Sequence, residues 1–364
     1  MLNQSFASLP LIGRTAELKQ VCNLLRQDSD FMVTGAPGIG RRTLIRSAAQ
    51  QVGARILEID CLRCRNGGQF LRFLADGLTE IFAPPQELAL IQQWSLEKPL
   101  TLDQSLAAKA RLVWPTAPSK EWALFESLLA LPQQMAEQLD CQVVVVFHNF
   151  PHIRSWDRQG KWETYLREEI QRQSRVSYAL IATVAEPWVY ASQLPVIQLP
   201  PLSDEELAPW IVTTLDAAGL EFDQESQALA LFLSYVQGHV KDTSTLAQRL
   251  WLDHQAFTPH PPGLIQAHHV HRAMMTLVQD MDITFESLLL LLPPTQARVL
   301  ESLALDPTDS PQASAYIKKH QLSRGGGLQG ALNSLEQKGL IYGPKSGYRI
   351  ALPLLDFWLK HRLN

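Results

Sequence analysis

The sequence has only four cysteines, Cys22, Cys61, Cys64 and Cys141, scattered over 364 residues. That is too few and too dispersed for a disulfide framework, and a chain of this length can bury a core without one. Long hydrophobic runs are also lacking: stretches such as Val143 to Phe147 and Leu288 to Leu292 fall far short of the ~20 residues a membrane helix needs, so neither a span nor a membrane partner is expected. The opening MLNQSFASLP has neither the charged start nor the apolar run of a secretory signal, and a reducing cytoplasm is the expected setting. No internal repeat or low-complexity tract stands out. Charged residues make up 19% against 46% apolar, an ordinary globular balance that excludes global disorder.

The net charge of −4 hides an uneven distribution. From Pro311 onward eight Lys and Arg face only Glu336 and Asp356, about +6, so the preceding residues carry about −10. Such asymmetry points to an anionic partner for the C-terminal segment, although a solvated basic face has the same composition.

Periodicity divides the chain into three. Over residues 1–200, short apolar strands at Phe31–Thr34, Ala54–Asp60, Cys141–Phe147, Tyr178–Thr183 and Pro195–Leu199 alternate with helical stretches, which predicts an α/β layer with a parallel sheet. After Pro200-Pro201 the strands are expected to stop. Ser203-Asp204-Glu205-Glu206 has the form of a capping box. Helices are expected at Glu205–Leu215, Gln224–Val236 and Ser244–His254, giving a helical lid over 201–280, with the Thr258 to Gly263 Pro-rich cluster marking its edge. Over 281–364, helices at Thr295–Ala304, Ala313–His320 and Arg324–Lys338 end at a Gly339 C-cap, and strands Leu340–Tyr342 and Tyr348–Leu352 flank a turn. That pattern predicts a winged helix.

Between the first strand and its helix lies Gly35-Ala36-Pro37-Gly38-Ile39-Gly40-Arg41-Arg42-Thr43, with the two glycines five apart that a phosphate loop requires. Such glycines let backbone N–H groups converge on phosphate oxygens at a helix N-terminus. Together with Leu11-Ile12-Gly13-Arg14 and Glu17-Leu18, and with Gly238-His239-Val240 and Leu246 to Trp251 further on, the chain resembles the AAA+ and STAND-type bacterial and archaeal ATPases. Val240 replaces that family's usual proline. The resemblance implies a phosphate-loop core, a lid and a winged helix in that order, and roles in replication initiation, transposition, defence or signalling.

Four positions depart from the family pattern. Arg41 and Arg42 stand where a lysine and a Mg²⁺-binding hydroxyl belong, and His148 and Asn149 stand where the resemblance implies an aspartate for the metal and a glutamate for water. A wide guanidinium does not replace a compact ammonium. Thr43 lies one residue on, about 100° around a helix, and neither His148 nor Asn149 can act as an anionic ligand or carboxylate base. ATP hydrolysis is therefore not expected, while Gly35, Pro37, Gly38, Gly40, Arg41, Arg42 and Thr43 remain candidates for holding ATP or ADP without Mg²⁺. The opposing reading is an active ATPase with a shifted loop. Thr183 stands where the family places a phosphate-sensing residue, or is an ordinary strand threonine.

Other constellations are weaker. Cys61 and Cys64 lack the second pair that a structural zinc needs, and His268, His269 and His271 fall on different helix faces. The winged helix offers phosphate-contact types in Arg324, Lys338, Lys345 and Arg349, with Ser323 as helix cap and Gly325 to Gly327 opening the helix. Those residues suggest duplex DNA, yet no base-reading set is evident. A protein-only adaptor in a larger complex or homo-oligomer is the alternative.

Overall fold

The computed structural model describes residues 11–104, 109–115, 121–170, 172–257, 263–323 and 325–363. The chain forms two compact units: residues 15–34 with 44–198, and residues 1–14 with 35–43 and 199–364.

The first unit is built on strands β1 (Phe31–Thr34), β2 (Arg55–Asp60), β5 (Val143–His148), β6 (Val176–Ala182) and β7 (Val196–Gln198); β3 (Thr101–Asp103) and β4 (Arg111–Val113) form a separate antiparallel hairpin. The five-stranded sheet runs β2-β5-β6-β1-β7, all parallel. Its central strands explain the apolar runs: Val143 to Phe147 and all of β6 are buried on both faces, as parallel strands covered by helices must be. The unit's helices are α1 (Thr15–Arg26), α2 (Arg41–Val52), α3 (Gly67–Ile81), α4 (Pro85–Ser95), α5 (Glu121–Leu139), α6 (Lys161–Ile170) and α7 (Pro187–Ala191). An aromatic cluster fills one side, where Phe70 stacks on Phe147 with ring centroids 5.9 Å apart and Phe147 on Tyr178 at 6.1 Å.

The second unit contains α8 (Asp204–Asp216), α9 (Ala228–Val236), α10 (Val240–Phe257), α11 (Ala267–Asp280), α12 (Asp282–Leu291), α13 (Pro294–Leu305), α14 (Ser314–Lys319), α15 (Gly326–Gln337) and α16 (Pro353–Leu363). The capping box forms as expected: Ser203 Oγ accepts the Glu206 N–H at 3.3 Å, and Glu206 accepts the Ser203 N–H at 3.2 Å. One hydrophobic core runs from Leu207 and Ile211 through Val270 and Met274 to Leu332, Leu355 and Trp358, so lid and winged-helix segments pack as a single body.

Several expectations need correction. Strands do not end at Leu199: β8 (Leu220–Phe222) and β9 (Gly263–Ile265) pair in parallel, each too short to leave a periodic signature. The helix expected from Gln224 begins at Ala228, because Asp223 turns the preceding segment by accepting from the Glu225 and Ser226 N–H groups. The expected wing strands reduce to isolated bridges, Ile341 with Ile350 and Thr308 with Tyr348, across a 3-10 turn at Pro344–Ser346. Helix α16 was not anticipated. Residues 258–262 of the Pro-rich cluster lie outside the described residues.

Candidate functional site

The phosphate-loop segment follows β1 and leads into α2. Its glycines take backbone angles that side chains resist: Gly35, Gly38 and Gly40 have φ of 151°, 85° and 100°. At Gly38 space forbids a side chain as well, because a Cβ would sit 2.7 Å from His239 Cε1 and 2.9 Å from Lys241 Cβ. Two loop carbonyls are engaged from the turn after α9. Pro37 O lies 2.7 Å from His239 Nε2, and Gly38 O accepts the Lys241 N–H at 3.0 Å.

Arg41, Arg42 and Thr43 open α2, with Arg42 exposed and the other two half-buried. Burial lowers the Arg41 guanidinium to about 10, still a cation at neutral pH. A charge so placed gains when an anion lies against it. The Gly13-Arg14 signature is pinned to the capping box: the Arg14 N–H donates to Glu206 Oε1 at 3.3 Å, and its guanidinium donates to the Pro200 carbonyl. Glu206 therefore serves both the helix α8 cap and the chain before α1.

In the α/β unit, His148 ends β5 beside β2 and Asn149 follows it, with Asp60 in register with His148. This is the carboxyl edge of a parallel sheet, where ligands of such folds bind. His148 Nε2 is 2.9 Å from Glu58 Oε1, and Arg46 Nε donates to Glu58 Oε2 at 2.9 Å. Asn149, at φ 53°, donates from Nδ2 to Asp60 Oδ1 at 2.9 Å, while Asp60 also accepts the Leu62 N–H at 3.1 Å. Glu58 and Asp60 lie 90 and 89 residues before His148 and Asn149, so no local sequence signal pairs them. Adjacent strand order brings them to the two altered positions. Thr183 follows β6 and is half-buried.

Cys61 and Cys64 sit buried in the 3-10 turn after β2; burial pushes the Cys64 thiol up to about 11, which suits core residues and opposes thiolate chemistry. The three histidines have separate tasks: His269 Nδ1 accepts the Gln266 N–H at 3.0 Å, His271 Nδ1 pairs with the Tyr235 hydroxyl at 2.7 Å, and the His268 ring lies tilted against His269. Among the described residues no group of three His, Cys, Asp or Glu is arranged to hold a metal, and no helix is long and apolar enough to cross a membrane.

In the winged helix, α15 starts at Gly326 behind a Gly325 N-cap with φ 73° and no side-chain cap. Ser323 therefore does not cap it, contrary to expectation. Among the described residues a Cβ at Gly326 or Gly330 would have nothing within 4 Å, so packing against them does not demand those glycines. Lys338 is exposed and donates to Gln296 Oε1 at 2.5 Å; Arg349 lies over the Tyr342 ring at 5.3 Å. Arg324 and the side chain of Lys345 lie outside the described residues.

Comparison with known proteins agrees with this architecture. Residues 10–184 match the AAA ATPase domain, and residues 283–361 match a probable winged helix domain. No curated protein matches the sequence. Among solved structures, the Walker-type ATPase of Pyrococcus abyssi is similar at 14% identity and TM-score 0.67, covering 99% of this chain and all of that one. The Aeropyrum pernix ORC2 protein in its ADPNP–ADP complexes shares 13% identity at TM-score 0.56, over 97% of this chain and 95% of its own. The Aeropyrum pernix ORC1 protein in complex with DNA shares 13% identity at TM-score 0.50, over 100% and 97%. Likenesses at this identity carry the fold alone. With both domains matched in this order, the chain carries an AAA ATPase domain followed by a winged helix, on the fold of the AAA+ phosphate-loop ATPases.

Proposed function

We propose that this protein is a hydrolytically degenerate AAA+ member that acts as a DNA-associated scaffold or regulator. The observation that carries the reading is the pairing of Glu58 with His148 and Asp60 with Asn149. Each altered position holds a carboxylate of β2 in a hydrogen bond instead of offering one to a metal. Phosphoryl transfer needs a cation to neutralise developing charge and a positioned water, and a histidine and an amide supply neither. Arg41 and Arg42 add positive charge on the loop side, which favours anions and disfavours Mg²⁺. ATP or ADP binds, on this reading, through the loop amides of Gly35, Gly38 and Gly40 with Arg41, Arg42 and Thr43, beside Pro37, and without metal.

The division into an α/β core over 1–200, a lid over 201–280 and a winged helix over 281–364 is part of this proposal, as is a cytoplasmic setting. Duplex DNA is met through Arg324, Lys338, Lys345 and Arg349. The unpacked glycines of α15 support that assignment, because a bare helix surface admits close approach of a sugar-phosphate backbone. The ORC1 relative was captured with DNA. Fluorescence anisotropy of labelled duplex DNA across salt concentrations tests it: phosphate contacts predict a steep loss of affinity with salt. Absent or salt-insensitive binding sinks the DNA reading.

A protein-only adaptor, or a homo-oligomer, is the second reading. Its support is α12, which exposes Ile283, Leu290 and Leu291 at 79%, 85% and 84%, an unusual display for a helix that meets only water.

A further inference from the structure

Within the second unit a line of hydrogen bonds joins the phosphate loop to the last helix of the winged helix. It starts at the Pro37 carbonyl, 2.7 Å from His239 Nε2. The opposite ring nitrogen, Nδ1, lies 3.2 Å from the Asp242 N–H nitrogen and 3.2 Å from Asp242 Oδ1. The other carboxylate oxygen, Oδ2, accepts the Leu354 N–H at 3.1 Å. Leu354 is the second residue of α16, so the carboxylate accepts a hydrogen bond from the first turn of that helix.

His239 and Asp242 are 3% and 8% exposed, and water cannot substitute freely for any link in the line. Neutral His239 donates from Nε2 to Pro37 and accepts at Nδ1 from the Asp242 backbone; the protonated ring donates from both sides, to Pro37 and to the carboxylate. Burial opposes the charged ring, but the carboxylate and the Pro37 carbonyl outweigh it and raise its pKa overall. There is no slack at the loop end. The Lys241 N–H holds Gly38 O at 3.0 Å, and Gly38 has no room even for a methyl group against His239. A shift of Pro37 and Gly38 must therefore move His239, and His239 moves the residue that caps α16.

We propose that His239 and Asp242 form a latch that transmits the state of the phosphate loop to the first turn of α16, and so to the winged helix. The ligand side of this coupling rests on the reading of Gly35 to Thr43 as a nucleotide site, whereas the mechanical side stands on the hydrogen bonds alone.

Hydrogen–deuterium exchange on the full chain separates the two. His239→Gln, which does not touch α16, speeds exchange in residues 351–358 by about fivefold to tenfold, the scale of one buried hydrogen bond. Residues 176–182 of the α/β sheet serve as the control and stay at the wild-type rate. Asp242→Asn keeps an acceptor for Leu354 but weakens the grip on the ring, so it speeds exchange in residues 35–43 instead. With ADP, wild type slows in both 35–43 and 351–358, and His239→Gln slows only in 35–43. If His239→Gln leaves 351–358 at the wild-type rate, or ADP protects 35–43 of wild type without reaching 351–358, the latch is wrong. Loosening of 351–358 by His239→Gln in a protein that ADP nowhere protects upholds the latch and defeats the nucleotide reading.

Discussion

His148 Nε2 stands 2.9 Å from Glu58 Oε1 across neighbouring parallel strands, and the same carboxylate is bound on its other side by Arg46. The histidine occupies the position at which the family implies an aspartate, so restoring that aspartate sets two carboxylates against each other. His148→Asp is expected to destabilise the fold by about 1–3 kcal/mol at pH 8, through one lost hydrogen bond and one new repulsion. Urea unfolding measures it. An unchanged midpoint would show that the pairing with Glu58 contributes nothing.

Asp30 offers a pH test. It is half-buried before β1, and burial raises its carboxyl to about 7 although it accepts the Tyr178 N–H at 2.8 Å. A carboxyl raised in the folded state contributes stability that is complete below its unfolded value of about 4. That contribution drains away as pH rises to about 7, at up to about 1.4 kcal/mol per pH unit. Asp30→Asn keeps the acceptor and removes the charge. It should be more stable than wild type at pH 8, with the difference vanishing near pH 4; equal thermal midpoints at pH 8 would refute the assignment.

Much of this was legible beforehand, and the exceptions have physical causes. The β-branched run at Val143 to Val146 announced an interior parallel strand, and the Ser203 to Glu206 box announced the start of α8, because both signals are local. Two kinds of feature were hidden. Three-residue strands such as Leu220–Phe222 are shorter than any periodicity. The pairings of Glu58 with His148 and of His239 with Pro37 join residues 90 and 202 positions apart, and only the strand order and the fold of the second unit create them. The cap of α15 failed differently: Ser323 is a good capping residue, but the glycines after it let the backbone turn at Gly325 without one.

Gly326 and Gly330 distinguish folding from binding. Each lies exposed on α15 with nothing within 4 Å of a Cβ among the described residues, and helical glycine costs about 1 kcal/mol relative to alanine. Gly326→Ala and Gly330→Ala should therefore stabilise the protein by up to about 1 kcal/mol each while weakening duplex DNA binding at least severalfold in anisotropy. Unchanged affinity in the stabilised variants would remove the close-approach argument.

Glu206 carries two duties, the α8 cap and the Arg14 N–H. Ser203→Ala should cost about 1 kcal/mol, the usual price of an N-cap, and Glu206→Ala should cost more because it also releases the chain before α1. Denaturant midpoints rank the two, and a smaller loss for Glu206→Ala would contradict the shared role.

A loop ending in Arg41 and Arg42, with His148 at the end of β5 and Asn149 after it, is expected not to hydrolyse ATP. Phosphate release from ATP with Mg²⁺, with and without duplex DNA, measured side by side for wild type and Arg41→Ala, tests it most directly. The two proteins are expected to be indistinguishable from each other and from buffer; turnover by wild type that Arg41→Ala abolishes would show that the loop is a working ATPase site.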